Sequence, residues 1–184
     1  MKKPPREHLS CNQSEKTEYT SEEQPLPLYR STPCVPEVIA NQECGQPRST
    51  KVPAGHVFFP LTLKQYLGDR APHELYCFGN LSLLQEERTV MLCGSRSASE
   101  SALGLTFRAA RQLAEMRVAV TSGYARGVDM AAHQGALSAG GDTIAVLPYG
   151  INRFRVARPL REVFDIEHFL AASELHPTHH FTIK

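Results

Sequence analysis

The sequence has no apolar run approaching the roughly 18 residues that a membrane-spanning helix requires. Its first residues, MKKPPREHLSCNQ, also lack the apolar core of about 7–15 residues that marks a secretory signal peptide. These two absences argue against a membrane span and against secretion. We therefore expect a soluble, cytoplasmic protein without a membrane partner.

An excess of charge of either sign is missing as well. Lysine and arginine together number 20 and the acidic residues 19, which gives a formal net charge of +1. No whole-chain charge attracts nucleic acid, a membrane surface or an acidic partner. Any basic site must therefore be local.

The sequence also lacks the cysteine spacing of a disulfide framework or a zinc site. Its five cysteines are widely scattered, at Cys11, Cys34, Cys44, Cys77 and Cys93. We expect reduced thiols, with Cys93 buried at the end of a strand. The histidines of His176-Pro-Thr-His-His180 lie near the end of the chain without a supporting carboxylate pattern, so neither a metal nor another cofactor is predicted.

Composition divides the chain into two parts. Residues 1–56 are rich in Pro, Ser, Glu, Gln and Lys, and such a segment buries too little apolar surface to offset the entropy of ordering. A disordered polar tail is predicted there, either a simple linker or a partner-binding segment. Residues 57–184 are predicted to form one folded domain, in which Leu75–Asn80 (LYCFGN) has the pattern of an edge strand and turn.

Three apolar segments of four or five residues lead into turns of small residues: Thr89–Cys93, Val118–Thr121 and Thr143–Leu147. Apolar residues recur at helical spacing from Ala102 to Ala114 and from Val128 to Leu137. A fourth strand is predicted at Phe169–Ala172. Apolar strands that alternate with helices indicate the α/β class, a Rossmann-like parallel sheet with helices on both faces.

The predicted helices carry recognisable end signals. Ser97 or Ser99 is a candidate N-cap of the first helix, and the charge of Glu100 suits the first turn. The second helix is predicted to end near Gly140-Gly141.

Two turns contain the residues with the clearest chemistry. The first turn, Gly94-Ser95-Arg96, combines a glycine for close backbone approach, a hydroxyl and a guanidinium that can bind phosphate oxygens. The second turn, Ser122–Gly127 (SGYARG), offers nearly the same groups. Since ligands gather at the carboxyl ends of parallel strands, where helix N-termini favour anions, we expect both turns to converge on one anion. The alternative for either turn is a tight connection with a solvated arginine.

Two polar residues follow the second turn. Asp129 is predicted to cap or orient the turn, because a single carboxylate without a partner acid or base makes a weak case for catalysis. His133 lies four residues later on the same helical face, where the two can interact. We expect a packed or hydrogen-bonded histidine there rather than a catalytic one.

Several catalytic and nucleotide signatures are missing. The sequence contains no GxGxxG that opens a helix, no GxxxxGK[ST], no GxSxG and no HExxH.

The run from Leu75 to Ile151 resembles the DNA-processing protein A family, also called DprA or Smf. The matching segments are FGNLSLL from Phe78, GSR from Gly94, SGYARGVD from Ser122, AAH from Ala131, GAL from Gly135, Gly140-Gly141 and TIAVL from Thr143. The combination of GSR with SGxARGxDxAAH is specific. Ser173-Glu174 is a candidate for the serine and glutamate that close a family strand.

The resemblance implies a Rossmann-like domain that binds single-stranded DNA without base specificity, serves natural transformation and helps to load the RecA recombinase. It implies no known enzymatic turnover. It also implies that Gly94, Ser95 and Arg96 contact DNA phosphate, while Ser122, Gly123 and Arg126 support the same pocket. Gly127, Asp129 and His133 are assigned to organising the second turn. Phosphate contacts of this kind give affinity without reading sequence.

The resemblance also implies elements beyond Lys184. In the family, an Arg-Asn-Arg segment, further strands and often a winged-helix domain follow, and they help to build the DNA pocket and a dimer surface. The expectation from the sequence is therefore a truncated or divergent member with an incomplete sheet, whose homodimer depends on elements of this kind.

Two other functions remain open from the residues alone. A phosphoribohydrolase of the LOG type has a related fold, but it carries PGGxGTxxE where this chain has Leu147-Pro-Tyr-Gly150. A sensor of a small nucleotide would use the same phosphate-binding turns.

Overall fold

The protein is described by a computed structural model that covers residues 49–181. Within this range the strands form one sheet in the order β1-β2-β6-β5-β4-β3. The strands are β1 Thr50–Pro53, β2 Glu74–Gly79, β3 Thr89–Met91, β4 Ala119–Ser122, β5 Thr143–Val146 and β6 Phe169–Ser173. The α-helices are α1 Leu61–Leu67, α2 Glu100–Glu115 and α3 Val128–Ser138, and short 3-10 turns occupy Gly68–Arg70, Leu81–Gln85, Ile151–Arg153, Arg158–Leu160 and Ile166–His168.

The sheet is mixed rather than wholly parallel. Strands β3 to β6 run parallel, as predicted, and the predicted strand at Phe169–Ala172 is confirmed as β6. The first two strands depart from the prediction, because β1 is antiparallel to β2 and β2 is antiparallel to β6. Consecutive strands that pair in parallel are joined by a crossover connection, usually a helix. No crossover helix joins β2 to β6, so nothing requires these two strands to run parallel. The α/β class is confirmed and the parallel sheet is corrected to a mixed one.

Strand β2 is not the edge strand that the Leu75–Asn80 pattern predicted. It lies between β6 and β1, and Val52 of β1 pairs with Leu75. Val52 and Cys77 are fully buried. Strand β1 belongs to the segment predicted as a tail, so the predicted boundary at residue 57 is too late. Residues 1–48 of that tail, with Cys11, Cys34 and Cys44, lie outside the described residues.

The two long helices share one face of the sheet instead of covering both. Helix α2 packs against α3, and small residues of both helices surround Val120 of β4. Strands β3, β4, β5 and β6 step across the sheet in one direction, so right-handed crossovers place the connecting segments on the same face. The opposite face is covered by α1 and the turn Leu81–Gln85. Leu63 of α1 and Leu83 of the turn belong to the same apolar cluster as Ile144 and Leu170.

Strand β3 forms the edge of the sheet opposite β1 and is exposed. Met91 is 63% exposed, and Cys93 is exposed as well. The predicted burial of Cys93 is wrong, because the strand ends at Met91 and the chain has already left the sheet at Cys93. On the face without long helices, Val146 is 50% exposed.

The helix ends follow the sequence signals. Ser99 is the N-cap of α2, and its Oγ accepts a hydrogen bond from Ala102 N at 3.2 Å. Helix α3 ends at Ser138, just before Gly140-Gly141, which agrees with the predicted end near this glycine pair. In the part of the chain that the structure describes, no helix has both the length and the apolar composition to cross a membrane.

Candidate functional site

The first turn leaves the edge strand β3 and is open to solvent. Gly94, Ser95 and Arg96 are all exposed. Ser95 Oγ accepts a hydrogen bond from Ser97 N at 3.1 Å, which shapes the approach to α2. Within residues 49–181 no carboxylate forms an ion pair with Arg96. The first turn therefore presents a hydroxyl and a guanidinium to solvent.

The second turn leaves the interior strand β4 and is held by buried hydrogen bonds. Ser122 is fully buried, and its hydroxyl donates to Leu92 O at 2.5 Å. Ala125 N donates to Asp129 Oδ2 at 3.3 Å. Arg126, by contrast, is exposed. Ser122 can therefore support the turn but cannot reach a ligand in solvent, whereas Arg126 can.

The structure brings the two turns into direct contact. Gly127 has a φ of 93°, and a Cβ at this position would lie 2.3 Å from Ser95 O. Val128 N, at the start of α3, donates to the same Ser95 oxygen at 3.2 Å. Glycine is required at position 127 because a side chain would separate the turns. Arg96 and Arg126 thus extend from adjoining pieces of backbone.

His133 is a buried structural link between the second turn and the sheet. Its Nε2 lies 2.6 Å from Gly123 O, and its Nδ1 lies 2.7 Å from Thr143 Oγ1. A carbonyl oxygen only accepts, so Nε2 carries the proton and donates to Gly123 O. Burial lowers the pKa of His133, although the Gly123 hydrogen bond and the charge of Asp129 oppose that shift. Burial thus favours the neutral ring, in which Nδ1 accepts from the Thr143 hydroxyl; Thr143 Oγ1 also lies 2.7 Å from Val120 O, so these two acceptors share its one proton.

Tyr124 is a residue of this site that the sequence did not single out. Its hydroxyl accepts from Ala157 N at 2.9 Å and donates to Arg155 O at 3.3 Å. Burial raises the pKa of this phenol to about 12, and the hydrogen bond from Ala157 N partly opposes the rise. An aromatic residue within a turn of small residues was the only signal in the sequence. Tyr124 joins the second turn to the segment that follows β5.

That segment carries a group of cations that the sequence reasoning also missed. A groove of about 440 Å³ is lined by Asn152, Arg153, Arg155, Thr178 and His180. Arg153 Nη2 lies 2.7 Å from His180 Nδ1. The signal in the sequence was the recurrence of arginine at positions 153, 155, 158 and 161. The groove could not be assigned without knowing that the segment after β6 folds against it.

The histidines near the end of the chain form other contacts. His176 Nδ1 lies 2.9 Å from Thr178 Oγ1, and His180 adjoins Arg153 as described above. Across residues 49–181 no group of three or more His, Cys, Asp or Glu side chains is placed to hold a metal ion. The chemistry available at this edge of the sheet is that of hydroxyl, backbone and guanidinium groups, which suits phosphate.

Comparison with known proteins gives a consistent family assignment. The sequence model of the family described as DNA recombination-mediator protein A matches residues 52–182. DNA processing protein DprA of Streptococcus pneumoniae is 36% identical over 109 residues, which are 58% of this chain and 38% of that protein. Protein Smf of Escherichia coli is 35% identical over 121 residues, which are 63% of this chain and 30% of that protein.

Two solved structures have the same fold. The crystal structure of DNA processing protein A from Streptococcus pneumoniae aligns with a TM-score of 0.61 and 28% identity, covering 74% of this chain and 47% of that one. A structure that addresses single-stranded DNA binding by DNA processing protein A from Helicobacter pylori aligns with a TM-score of 0.55 and 23% identity, covering 72% and 58%. This chain thus spans well under half the length of the two curated relatives.

Proposed function

Since this chain belongs to the DNA recombination-mediator protein A family, we propose that it binds single-stranded DNA through the phosphates without reading base sequence. The observation that carries this proposal is the contact between the two turns, which places the exposed Arg96 and Arg126 on adjoining backbone. Guanidinium groups and backbone at the carboxyl edge of a parallel sheet suit a phosphate chain. The Helicobacter pylori protein of the same fold has been studied for single-stranded DNA binding.

Within this proposal the site residues divide by exposure. Gly94, Ser95 and Arg96, with Arg126, form the surface that contacts phosphate. Ser122, Gly123, Gly127, Asp129 and His133 hold the second turn in place from behind, because their polar groups are engaged within the protein or their backbone is closely packed. Binding of this type contributes affinity that declines with salt.

The proposal extends to a role in DNA processing for natural transformation and recombination, in the cytoplasm and without catalytic turnover. The proposal also makes two more specific claims: the protein delivers the bound strand to RecA, and it assembles as a homodimer. Light scattering would test the dimer, and a RecA filament assay on DNA coated with a single-strand binding protein would test the delivery. A monomer at all concentrations, or filament assembly unchanged by this protein, would remove the respective part.

The first test of DNA binding is the Arg96→Ala substitution. Loss of one phosphate contact is expected to weaken binding to oligonucleotides of any sequence and to lower the slope of log affinity against log salt by about 0.7. Fluorescence anisotropy over a salt series measures both quantities. Arg88→Ala is the matched control, because Arg88 precedes β3 at the opposite end of the same strand. The proposal is wrong if the wild-type protein binds no oligonucleotide at low salt, or if the Arg96 variant binds like the wild type.

A further inference from the structure

The groove near Arg153 is built from two segments that are pinned to each other. Gly150 N donates to His179 O at 2.9 Å, and Asn152 N donates to Pro177 O at 3.1 Å. A Cβ at Gly150 would lie 2.3 Å from the carbonyl oxygens of His176 and Pro177. The segment after β5 and the segment after β6 are thus held together by backbone contacts, so the groove between them has a defined shape.

The lining of this groove suits an anion. Arg155 Nη1 donates to Asn152 O at 3.0 Å and to Phe154 O at 2.6 Å, which orients the guanidinium and leaves its other N–H groups available. Arg153 and Arg155 are both exposed. Among the described residues no carboxylate lines the groove, and no acidic side chain forms an ion pair with either arginine. In the part of the chain that the structure describes, two guanidinium groups without an acidic partner thus line one concave surface.

The groove continues the edge that carries the two turns. Strands β3, β4, β5 and β6 are parallel, so the segments that follow them emerge at the same edge of the sheet. Tyr124 of the second turn bonds to the backbone at Arg155 and Ala157, which fixes the spacing between turn and groove. The segments that carry Arg96, Arg126 and the arginine pair of the groove therefore emerge in a row along this edge.

We propose that the groove lined by Asn152, Arg153, Arg155, Thr178 and His180 is a second phosphate subsite, which binds the same DNA strand beyond the two turns. This inference rests on the proposed function. A single small anion would use only one part of the row, whereas a polynucleotide places phosphates at regular intervals along it. Short oligonucleotides reach the turns alone, and longer ones occupy the groove as well.

The test compares an Arg153→Gln/Arg155→Gln variant with wild type on oligothymidylates from about 4 to about 16 nucleotides. For the shortest oligonucleotides, affinity and salt slope are expected to match wild type. For the longest, affinity falls at low salt, and the slope of log affinity against log salt drops by about 1.4, the value for two phosphate contacts on a single strand. Arg88→Gln/Arg117→Gln is the control, since it removes the same charge from residues that precede β3 and β4 at the opposite edge.

The outcomes separate the two proposals. If the wild-type protein binds no oligonucleotide of any length, the proposed function fails and the subsite with it. If Arg96→Ala weakens binding while the double variant binds every length like wild type, or no worse than the control, the subsite alone is refuted. Arg155 also bonds to backbone, so Arg153→Gln alone is measured as a second variant. It is expected to lower the slope for long oligonucleotides by about 0.7, and an unchanged slope likewise refutes the subsite.

Discussion

The two turns are nearly alike in sequence and differ in structure. Each follows an apolar strand with serine, glycine and arginine, yet the serine of the first turn is exposed while Ser122 of the second is fully buried. The second turn is tied to its surroundings through Ser122, Gly123, Tyr124 and Asp129. A similar composition thus gives one turn whose serine is open to solvent and one whose serine supports the fold, while the arginines of both turns are exposed.

The cause of this difference is the position of the parent strands. Strand β3 is at the edge of the sheet, so the turn that leaves it has a neighbour on one side only. Strand β4 lies between β3 and β5, and helix α3 packs behind it. The Ser122 hydroxyl and the Asp129 carboxylate are therefore shielded from water and must find partners within the protein. The comparison teaches that strand order, rather than the residues of a turn, decides which serine is open to solvent.

The largest effect is expected from Gly127→Ala, which acts on the contact between the turns. The added Cβ collides with Ser95 O, and alanine is strained at a φ of 93°. We expect a loss of about 3 kcal/mol in the free energy of unfolding, measured by urea denaturation. Gly140→Ala is the control, because Gly140 has a φ of 65° but no atom within 4 Å of an added Cβ; its cost should be about 1 kcal/mol. Equal losses in the two variants would show that the turns are not in contact.

A smaller effect is expected at His133, which anchors the second turn only. His133→Leu leaves Gly123 O and Thr143 without this partner, and we expect a loss of about 2 kcal/mol at neutral pH. The folded protein keeps this ring neutral because burial lowers its pKa below the ordinary 6.5. As the pH falls through that ordinary value, the unfolded chain takes up a proton that the folded protein refuses, so wild-type stability declines.

Urea denaturation at several pH values between about 7.5 and about 5 checks this prediction. The wild type is expected to lose more stability on acidification than His133→Leu, since the variant lacks the titrating group. A stability gap between the two proteins that stays constant with pH would contradict the neutral, buried histidine.

The smallest pair of effects distinguishes the serines of the two turns. Ser122→Ala removes the bond to Leu92 O and is expected to cost about 1 kcal/mol of stability. Ser95→Ala should change stability by less than about 0.5 kcal/mol, because the residue is exposed, while oligonucleotide affinity falls. Thermal unfolding and anisotropy on both variants make the comparison. If Ser95→Ala lowered stability and Ser122→Ala lowered only affinity, the roles assigned to the two serines would be exchanged.

Much of the parallel half of the fold was readable from local pattern. Apolar residues recur with helical periodicity from Ala102 to Ala114, where the structure has α2. The apolar runs around Val120 and Ile144 are continuous, and they form β4 and β5. Strand β1 was not readable, because in a polar stretch only Val52 is buried and its role depends on pairing with Leu75. The exposure of Cys93 likewise depends on β3 lying at an edge.

The part of the site that is local in sequence could likewise be predicted. The residues of both turns are adjacent in the chain, and the shared edge follows from parallel strands. The link from Tyr124 to Ala157 and the groove between Arg153 and His180 depend on contacts between distant segments. Local sequence contains no periodic signal for such contacts, and only the folded backbone brings them together.

The bond between Tyr124 and the basic segment also gives the protein an internal optical reporter. The chain contains no tryptophan and six tyrosines, so tyrosine emission is not masked by a stronger fluorophore. Tyr124 lies where the second turn meets the segment that carries Arg155, and its phenol environment changes if the two move apart. A difference spectrum between the wild type and Tyr124→Phe would follow that junction in solution, without a label attached to protein or ligand.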